Sequence, residues 1–200
     1  MCGICGIFRL DQAPVHEDEL RVMTEKMHMR GPDSDGYYCN QNVGLGFTRL
    51  AIIDLLSGNQ PLTNEDRSIW LVMNGEIYNF IELRKELQAK GHTFSTKSDS
   101  EVIIHLYEEY GNDCVLHLNG MFAFALYDQY RDKLLLGRDR LGIKPLYYKI
   151  SGKALYFGSD ARAVANQSRP HVSEPSFLAY LSFGYTSQNS IFEGVNKLPP

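Results

Sequence analysis

The chain alternates between two hydrophobic periods, and the switches between them mark its elements. Alternating or unbroken runs of β-branched and aromatic residues predict strands over 2–8, 43–54 and 69–77. A 3.6-residue period takes over at 17–29 ("EDELRVMTEKMHM"), where Leu20, Met23 and Met27 share one face. It returns at 80–91 ("FIELRKELQAKG"), an amphipathic helix closed by Gly91. "RGPDSDG" (30–36) is dense in turn residues. "SDSE" (98–101) predicts a helix opened by a capping box, with Ser98 as the cap, Glu101 reaching back and Asp99 in the first turn. "MFAFALYD" (121–128) alternates large and small residues as strands in packed sheets do. "KLLLGRD", "KPLYYKI" and "ALYFGSD" predict a continuing β-meander, and "SEPSFLAYLSFG" (173–184) a late helix ending at Gly184.

Groups of strands joined by short turns and separated by helices favour an α+β fold of antiparallel sheets covered by helices. No repeat, low-complexity run or Pro/Gly/Ser linker divides the sequence, so residues 1–200 read as one domain. With 44% hydrophobic and 22% charged residues, the chain can fill a core and does not look disordered. A net charge of −4 without any basic run argues against nucleic acid and leaves a small-molecule substrate or a protein partner. No stretch approaches the ~18 continuous apolar residues of a membrane span. The first apolar stretch ends at Phe8 and is too short, and lacks the basic flank, for a signal peptide. The expected compartment is therefore the cytoplasm, with Cys2, Cys5, Cys39 and Cys114 as reduced thiols.

The opening "MCGICGIF" then raises a question of chemistry. Its cysteines could form a redox or metal CxxC, could be two ordinary buried thiols, or Cys2 could become the first residue. A zinc site needs about four ligands, and none of the six histidines shows ligand spacing to a cysteine. A redox CxxC sits at a helix N-terminus inside a βαβ unit, whereas this one lies in a strand at the terminus. The third reading has a mechanism. Methionine is generally trimmed before a small residue, which leaves Cys2 with a free α-amine. Such amines titrate near 7.7–8.0 and thiols near 8.5, so a neutral amine can take the thiol proton near pH 7 without a histidine.

Polar groups downstream suit an amino-acid substrate bearing an amide or ester. Arg49 stands alone in the apolar "TRLAIID", where a guanidinium can clamp a carboxylate bidentately. "MNGEIYN" ends a very apolar strand with Asn74, Gly75 and Glu76. An Asn side chain beside an unhindered Gly N–H can form an oxyanion hole, and Asp99 or Glu76 can hold an ammonium. Each also has an ordinary reading: Arg49 as a surface strand residue, "NG" as a hairpin turn, and Asp99 as a helix-dipole partner.

In order along the chain, "MCGICGIF", "RGPD", "RLAIID", "QPL", "NGEIYN", "SDSEVI", "GMFAFALYD" and "GRDRLGIKPLYY" resemble the class II glutamine amidotransferase family of N-terminal nucleophile hydrolases, in particular its asparagine synthetase-type glutaminase domains. The resemblance spans residues 2–200. It implies a four-layer αββα sandwich and attack by the Cys2 thiolate on the side-chain amide of L-glutamine, releasing ammonia and leaving a glutamyl thioester for water. It implies Asn74 and Gly75 as the oxyanion hole, Arg49 on the substrate carboxylate, Glu76 and Asp99 on its ammonium, and backbone around Leu50, Ile52 and Ile53 lining the glutamine slot. No metal or organic cofactor is implied for this half.

Family members continue into an ATP-dependent synthetase domain with a Ser-Gly-Gly-rich pyrophosphate loop. That loop is missing here and the sequence closes on "NKLPP", so the resemblance implies an excised domain or a truncated product. ATP and magnesium would belong to the missing half, which is the expected partner along with L-glutamine; a homodimer is compatible with the resemblance. Two departures, "GFTRL" without the usual polar or basic residues and Asp160 where Glu is commoner, bear on subfamily rather than activity. Two alternatives remain: a class II domain serving another ammonia acceptor, or an inactive module that senses glutamine or docks a partner.

Overall fold

A computed structural model describes residues 1–51, 58–165, 170–186 and 189–200. The chain opens with β1 (Gly3–Arg9), α1 (Glu17–Glu25), β2 (Ser34–Asn40) and β3 (Val43–Arg49). It continues through β4 (Leu62–Thr63), β5 (Ile69–Ile77), α2 (Phe80–Ala89), α3 (Glu101–Tyr110), β6 (Gly120–Asp128) and β7 (Lys133–Arg138). It then runs through β8 (Tyr147–Ser151), β9 (Ala154–Gly158), α4 (Ala161–Ala165), α5 (Glu174–Phe183) and β10 (Asn196–Lys197). The strands form a six-stranded sheet, β10-β8-β9-β1-β3-β2, and a four-stranded sheet, β4-β5-β6-β7. Each neighbouring pair is antiparallel.

The period-2 pattern of the strands builds the layers, because alternate residues face opposite sides of a sheet. In β1, Cys5 and Ile7 pack under α1 with Leu20, Met23 and Met27. Ile4, the residue before Cys5, faces the other way and meets Val43, Leu45 and Phe47 of β3 together with Val72, Ala123 and Ala125 of the second sheet. In β5, Leu71 and Met73 pack against Leu83 and Leu87 of α2 and Ile103 of α3. The order is therefore helix, sheet, sheet, helix. Each large side chain buried this way contributes about 1.5–3 kcal/mol, and Phe47, Phe124 and Phe157 are among the largest.

Several elements differ from expectation, each for a local reason. The first helix stops at Glu25, and the chain tightens into a 3-10 turn at His28–Arg30. Turn chemistry ends at Asp33, since Ser34 already pairs with Arg49 across β2 and β3. The strand predicted over 43–54 ends at Arg49, and residues 52–54 lie outside the described residues.

The capping box at 98–101 does not form. Glu101 instead accepts from the backbone and hydroxyls of Ser95 and Thr96 at 2.6–2.8 Å, and α3 starts at Glu101 itself. Asp99 accordingly precedes the helix rather than sitting in its first turn.

The meander also breaks: β7 belongs to the four-stranded sheet, β8 and β9 to the six-stranded one. The crossing is the "GRDRLGIKP" loop, folded around one carboxylate. Asp139 accepts N–H bonds from Phe122, Leu141, Ile143 and Lys144 at 2.9–3.3 Å. Arg138 donates to the carbonyls of Gly142, Lys144 and Leu198.

Candidate active site

Strand parity brings the site together. Cys2 shares a face with Ile4, Arg49 continues the row of Val43, Leu45 and Phe47, and Asn74 continues the row of Trp70 and Val72. All three rows point into the space between the sheets. At one end of that space lies a cleft lined by Cys2, Arg49, Leu50, Asn74, Gly75, Glu76 and Asp99. Every proposed site residue that is described therefore lines one cavity. Ile52 and Ile53 lie outside the described residues.

The same parity removes the CxxC reading. Cys5 is wholly buried on the opposite face, under α1, and burial with the nearby Asp35 charge drives its thiol far above the ordinary range. Cys114 is also buried, and its thiol is pushed up to about 11 by desolvation. Cys39, by contrast, is exposed. Even so, partial desolvation and the charges of Glu17 and Glu19 raise its thiol to about 11.

Cys2 is half-buried, held at its sulfur by Leu50. The Leu50 N–H lies 3.4 Å from Sγ and the Leu50 carbonyl 3.5 Å. The "RGPD" turn braces both partners. Arg30 Nε donates to the Cys2 carbonyl at 3.3 Å, the Asp33 N–H to the Arg49 carbonyl at 3.0 Å, and the Ala51 N–H to Asp33 Oδ2 at 2.8 Å. Gly31 is needed for this approach, because a Cβ there would sit 2.4 Å from the Thr48 carbonyl oxygen. Arg49, 6% exposed, donates through Nη1 to Asn59 Oδ1 at 2.7 Å.

Across the cleft, Asn74 is 2% exposed and, among the described residues, its Nδ2 has no hydrogen-bond partner. A buried amide N–H without a partner costs about 1–3 kcal/mol, so this donor is held ready for an acceptor. Gly75 supplies a second donor by strand geometry. The Met73 N–H is taken by Gln60 Oε1 at 2.5 Å and the Ile77 N–H by Asp99 Oδ2 at 2.8 Å. Odd-numbered residues of β5 therefore donate away from β6, and the Gly75 N–H points out between Gln60 and Asp99. No side chain fits at Gly75: a Cβ would lie 2.2 Å from the Met121 carbonyl oxygen.

Asp99 is 5% exposed, and burial raises its carboxyl above the ordinary value of 3.8, opposed by the Ile77 N–H and reinforced by the Glu76 charge. A raised native carboxyl penalises the folded state as pH climbs through it, and that penalty is absent below 3.8. A ligand ammonium would relieve it by pairing with the carboxylate. Affinity for a ligand that sets an ammonium here should accordingly weaken as pH falls through this titration, approaching tenfold per pH unit, with a midpoint above 3.8. Calorimetry on a Cys2→Ala variant reads binding alone; Asp99→Asn should bind weakly at neutral pH and lose the acid limb. An unchanged limb in Asp99→Asn would remove Asp99 from ammonium recognition.

Three contributors escaped the sequence reading. Gln60 pairs its side-chain amide with both polar groups of Met73, the residue before Asn74. Arg30 holds Cys2. Lys144, only 7% exposed, reaches the cleft, where its Nζ lies 3.4 Å from Met1 Sδ. "RGPD", "QPL" and "GIKPLYY" carried these residues, but only as marks of resemblance.

The same fold is found in solved structures of low sequence identity. A glutamine phosphoribosylpyrophosphate amidotransferase from B. subtilis, solved with ADP and GMP, superposes with a TM-score of 0.69 at 20% identity, covering 81% of this chain and 42% of its own. The allosteric regulatory enzyme of purine biosynthesis gives a TM-score of 0.71 at 19% identity, over 100% of this chain and 45% of that one. By sequence, the chain belongs to the glutamine amidotransferase domain family, whose model matches residues 1–200. Asparagine synthetase [glutamine-hydrolyzing] 1 of Bacillus subtilis is 42% identical over 206 residues, spanning 100% of this chain and 32% of the relative. Asparagine synthetase [glutamine-hydrolyzing] 2 of Oryza sativa subsp. japonica is 41% identical over 185 residues, 91% of this chain and 31% of its own. The chain thus spans about a third of the length of these relatives. Among the described residues, no helix is long and apolar enough to cross a membrane.

Proposed function

We propose that this domain hydrolyses L-glutamine to glutamate and ammonia through a thioester on Cys2. One observation carries the reading: a cysteine sulfur opens onto the same cleft as a buried amide donor without a partner, Asn74 Nδ2. Removal of Met1 frees the Cys2 α-amine, which takes the thiol proton. The thiolate adds to the glutamine side-chain carbonyl, and the oxygen that gains charge is met by Asn74 Nδ2 and the Gly75 N–H. The amine returns its proton to the departing nitrogen, which leaves as ammonia. Water then adds to the thioester, the same amine acting as base, and glutamate departs as the thiol re-forms.

Arg49 takes the substrate α-carboxylate, and Asp99 with Glu76 takes the ammonium. The names of the relatives extend the reading: the ammonia would serve ATP-dependent amide formation, as in asparagine synthetases, carried out by a further domain. No cofactor is assigned to this half, and a cytoplasmic setting fits thiol chemistry.

The test is glutamate release from glutamine by the purified domain, with Arg49→Lys as the discriminating variant. Lysine's point charge cannot reproduce a bidentate grip. Loss of a charge-assisted pair from a buried site costs roughly 2–3 kcal/mol, or about 30- to 150-fold in kcat/KM. A near-normal KM in Arg49→Lys would leave Arg49 a structural role. A domain that binds glutamine and releases no glutamate would be a sensor instead.

A further inference from the structure

We propose that His92, His105 and Glu108 form a divalent-metal site, suited to Zn²⁺, that clamps the chain after α2 onto α3. This goes beyond the glutaminase reading and departs from the expectation that the domain carries no metal. Their ligand atoms all lie within 4.8 Å of one another. Glu108 Oε2 is 2.8 Å from His105 Nδ1 and 3.3 Å from His92 Nδ1. Ligands held about 2.0–2.2 Å from a tetrahedral zinc stand roughly 3.3 Å apart; Glu108 already stands near that spacing from both rings, and the two histidine nitrogens, within 4.8 Å, close toward it when the ion enters. His105 and Glu108, three residues apart, share one face of α3, and the turn at Gly91 (φ 105°) brings His92 over them.

What surrounds the three groups is the shell that metal ligands require. Glu109 Oε1 lies 3.1 Å from His92 Nε2, and Asn64 Nδ2 donates to the other Glu108 oxygen at 2.9 Å. Glu101 Oε1 stands 4.0 Å from His105 Nε2. That last atom makes the argument. His105 is 1% exposed and, among the described residues, its Nε2 has no hydrogen-bond partner. With its proton on Nδ1, bonded to Glu108, a neutral His105 buries a bare lone pair facing a carboxylate. A cation at the centre takes both Nδ1 lone pairs and shifts the protons to the Nε2 atoms, which face Glu109 and Glu101. Two imidazoles and one carboxylate match the N/O preference of zinc, and the partly exposed His92 and Glu108 leave room for a water as fourth ligand. The helix so clamped is the one whose approach, Ser98–Ser100, lines the cleft.

The test is titration of the chelator-treated domain with Zn²⁺ and Co²⁺, after alkylation of its thiols, in competition with a chromophoric chelator. The expected result is one equivalent bound, with four-coordinate Co²⁺ bands and no thiolate charge-transfer band. His92→Ala and Glu108→Gln should each abolish stoichiometric binding, with near-ultraviolet circular dichroism showing that both remain folded. Glu109→Gln, which removes only an outer partner, should weaken binding about 10- to 100-fold. No binding at micromolar metal, or binding unchanged in His92→Ala, would overturn the site and leave only a hydrogen-bonded network of the three side chains. Glutamine turnover is not the readout, so failure here and failure of the glutaminase reading are separable.

Discussion

A domain that keeps any residue ahead of Cys2 should have no measurable glutaminase activity. Retained Met1, or an uncleavable N-terminal tag, turns the α-amine into an amide whose lone pair is delocalised and cannot accept the thiol proton. The thiol survives, but at an ordinary value near 8.5 only a few per cent is thiolate at pH 7. Geometry compounds the loss, because Met1 itself lines the cleft with its sulfur against Lys144. A C-terminal tag should be harmless, and proteolytic exposure of Cys2 should restore turnover. Intact mass should show the active species lighter by one methionine; full activity in a preparation that retains Met1 would sink the amine-as-base mechanism.

Asn74→Ala should lower kcat by about 10²–10³, the usual effect of removing one oxyanion donor, while KM for glutamine changes little. The reason is that Nδ2 has no partner in the free cleft and is satisfied when the carbonyl oxygen gains charge. Stability should not fall, since the deleted donor is unpaired, and the melting temperature separates this account from a structural role. A KM effect with preserved kcat would place Asn74 in substrate binding instead. Asn74→Asp is a sharper variant: it keeps the shape and sets a carboxylate against the developing oxyanion.

Much of this site was legible in the chain because strand parity is a local property. Positions 2 and 4, positions 45, 47 and 49, and positions 70, 72 and 74 each fall on one face, whatever the tertiary context. The rows of Ile4, Phe47 and Val72 were apolar enough to mark that face as buried. Arg49 and Asn74 stood out as polar continuations of those rows. Where local signals competed, the reading failed. Glu101 had Ser98 as a capping partner in sequence, but in space Ser95 and Thr96 offer it four donors, two hydroxyls and two N–H groups.

Long-range assignments were not legible at all. Nothing in "KLLLGRD" and "KPLYYKI" says that consecutive strands join different sheets; that follows from the Asp139 carboxylate gathering four N–H groups between them. Gln60 as a substitute strand partner for Met73 and Lys144 as a lining residue likewise exist only once distant segments meet. The two histidines of the α2–α3 corner were judged by their spacing to cysteines, and their convergence with Glu108 across a helix pair has no linear signature.

The central claim, that Cys2 is the nucleophile, is tested most directly by a glutamine-shaped diazo-ketone followed by peptide mapping. The account predicts one label per chain, on Cys2 and on no other thiol, with loss of turnover in proportion to labelling and protection by glutamine. Cys5 and Cys114 are buried, and Cys39, though exposed, is held at about 11. Label found mainly on Cys39 or Cys5, or turnover that survives full labelling of Cys2, would contradict it.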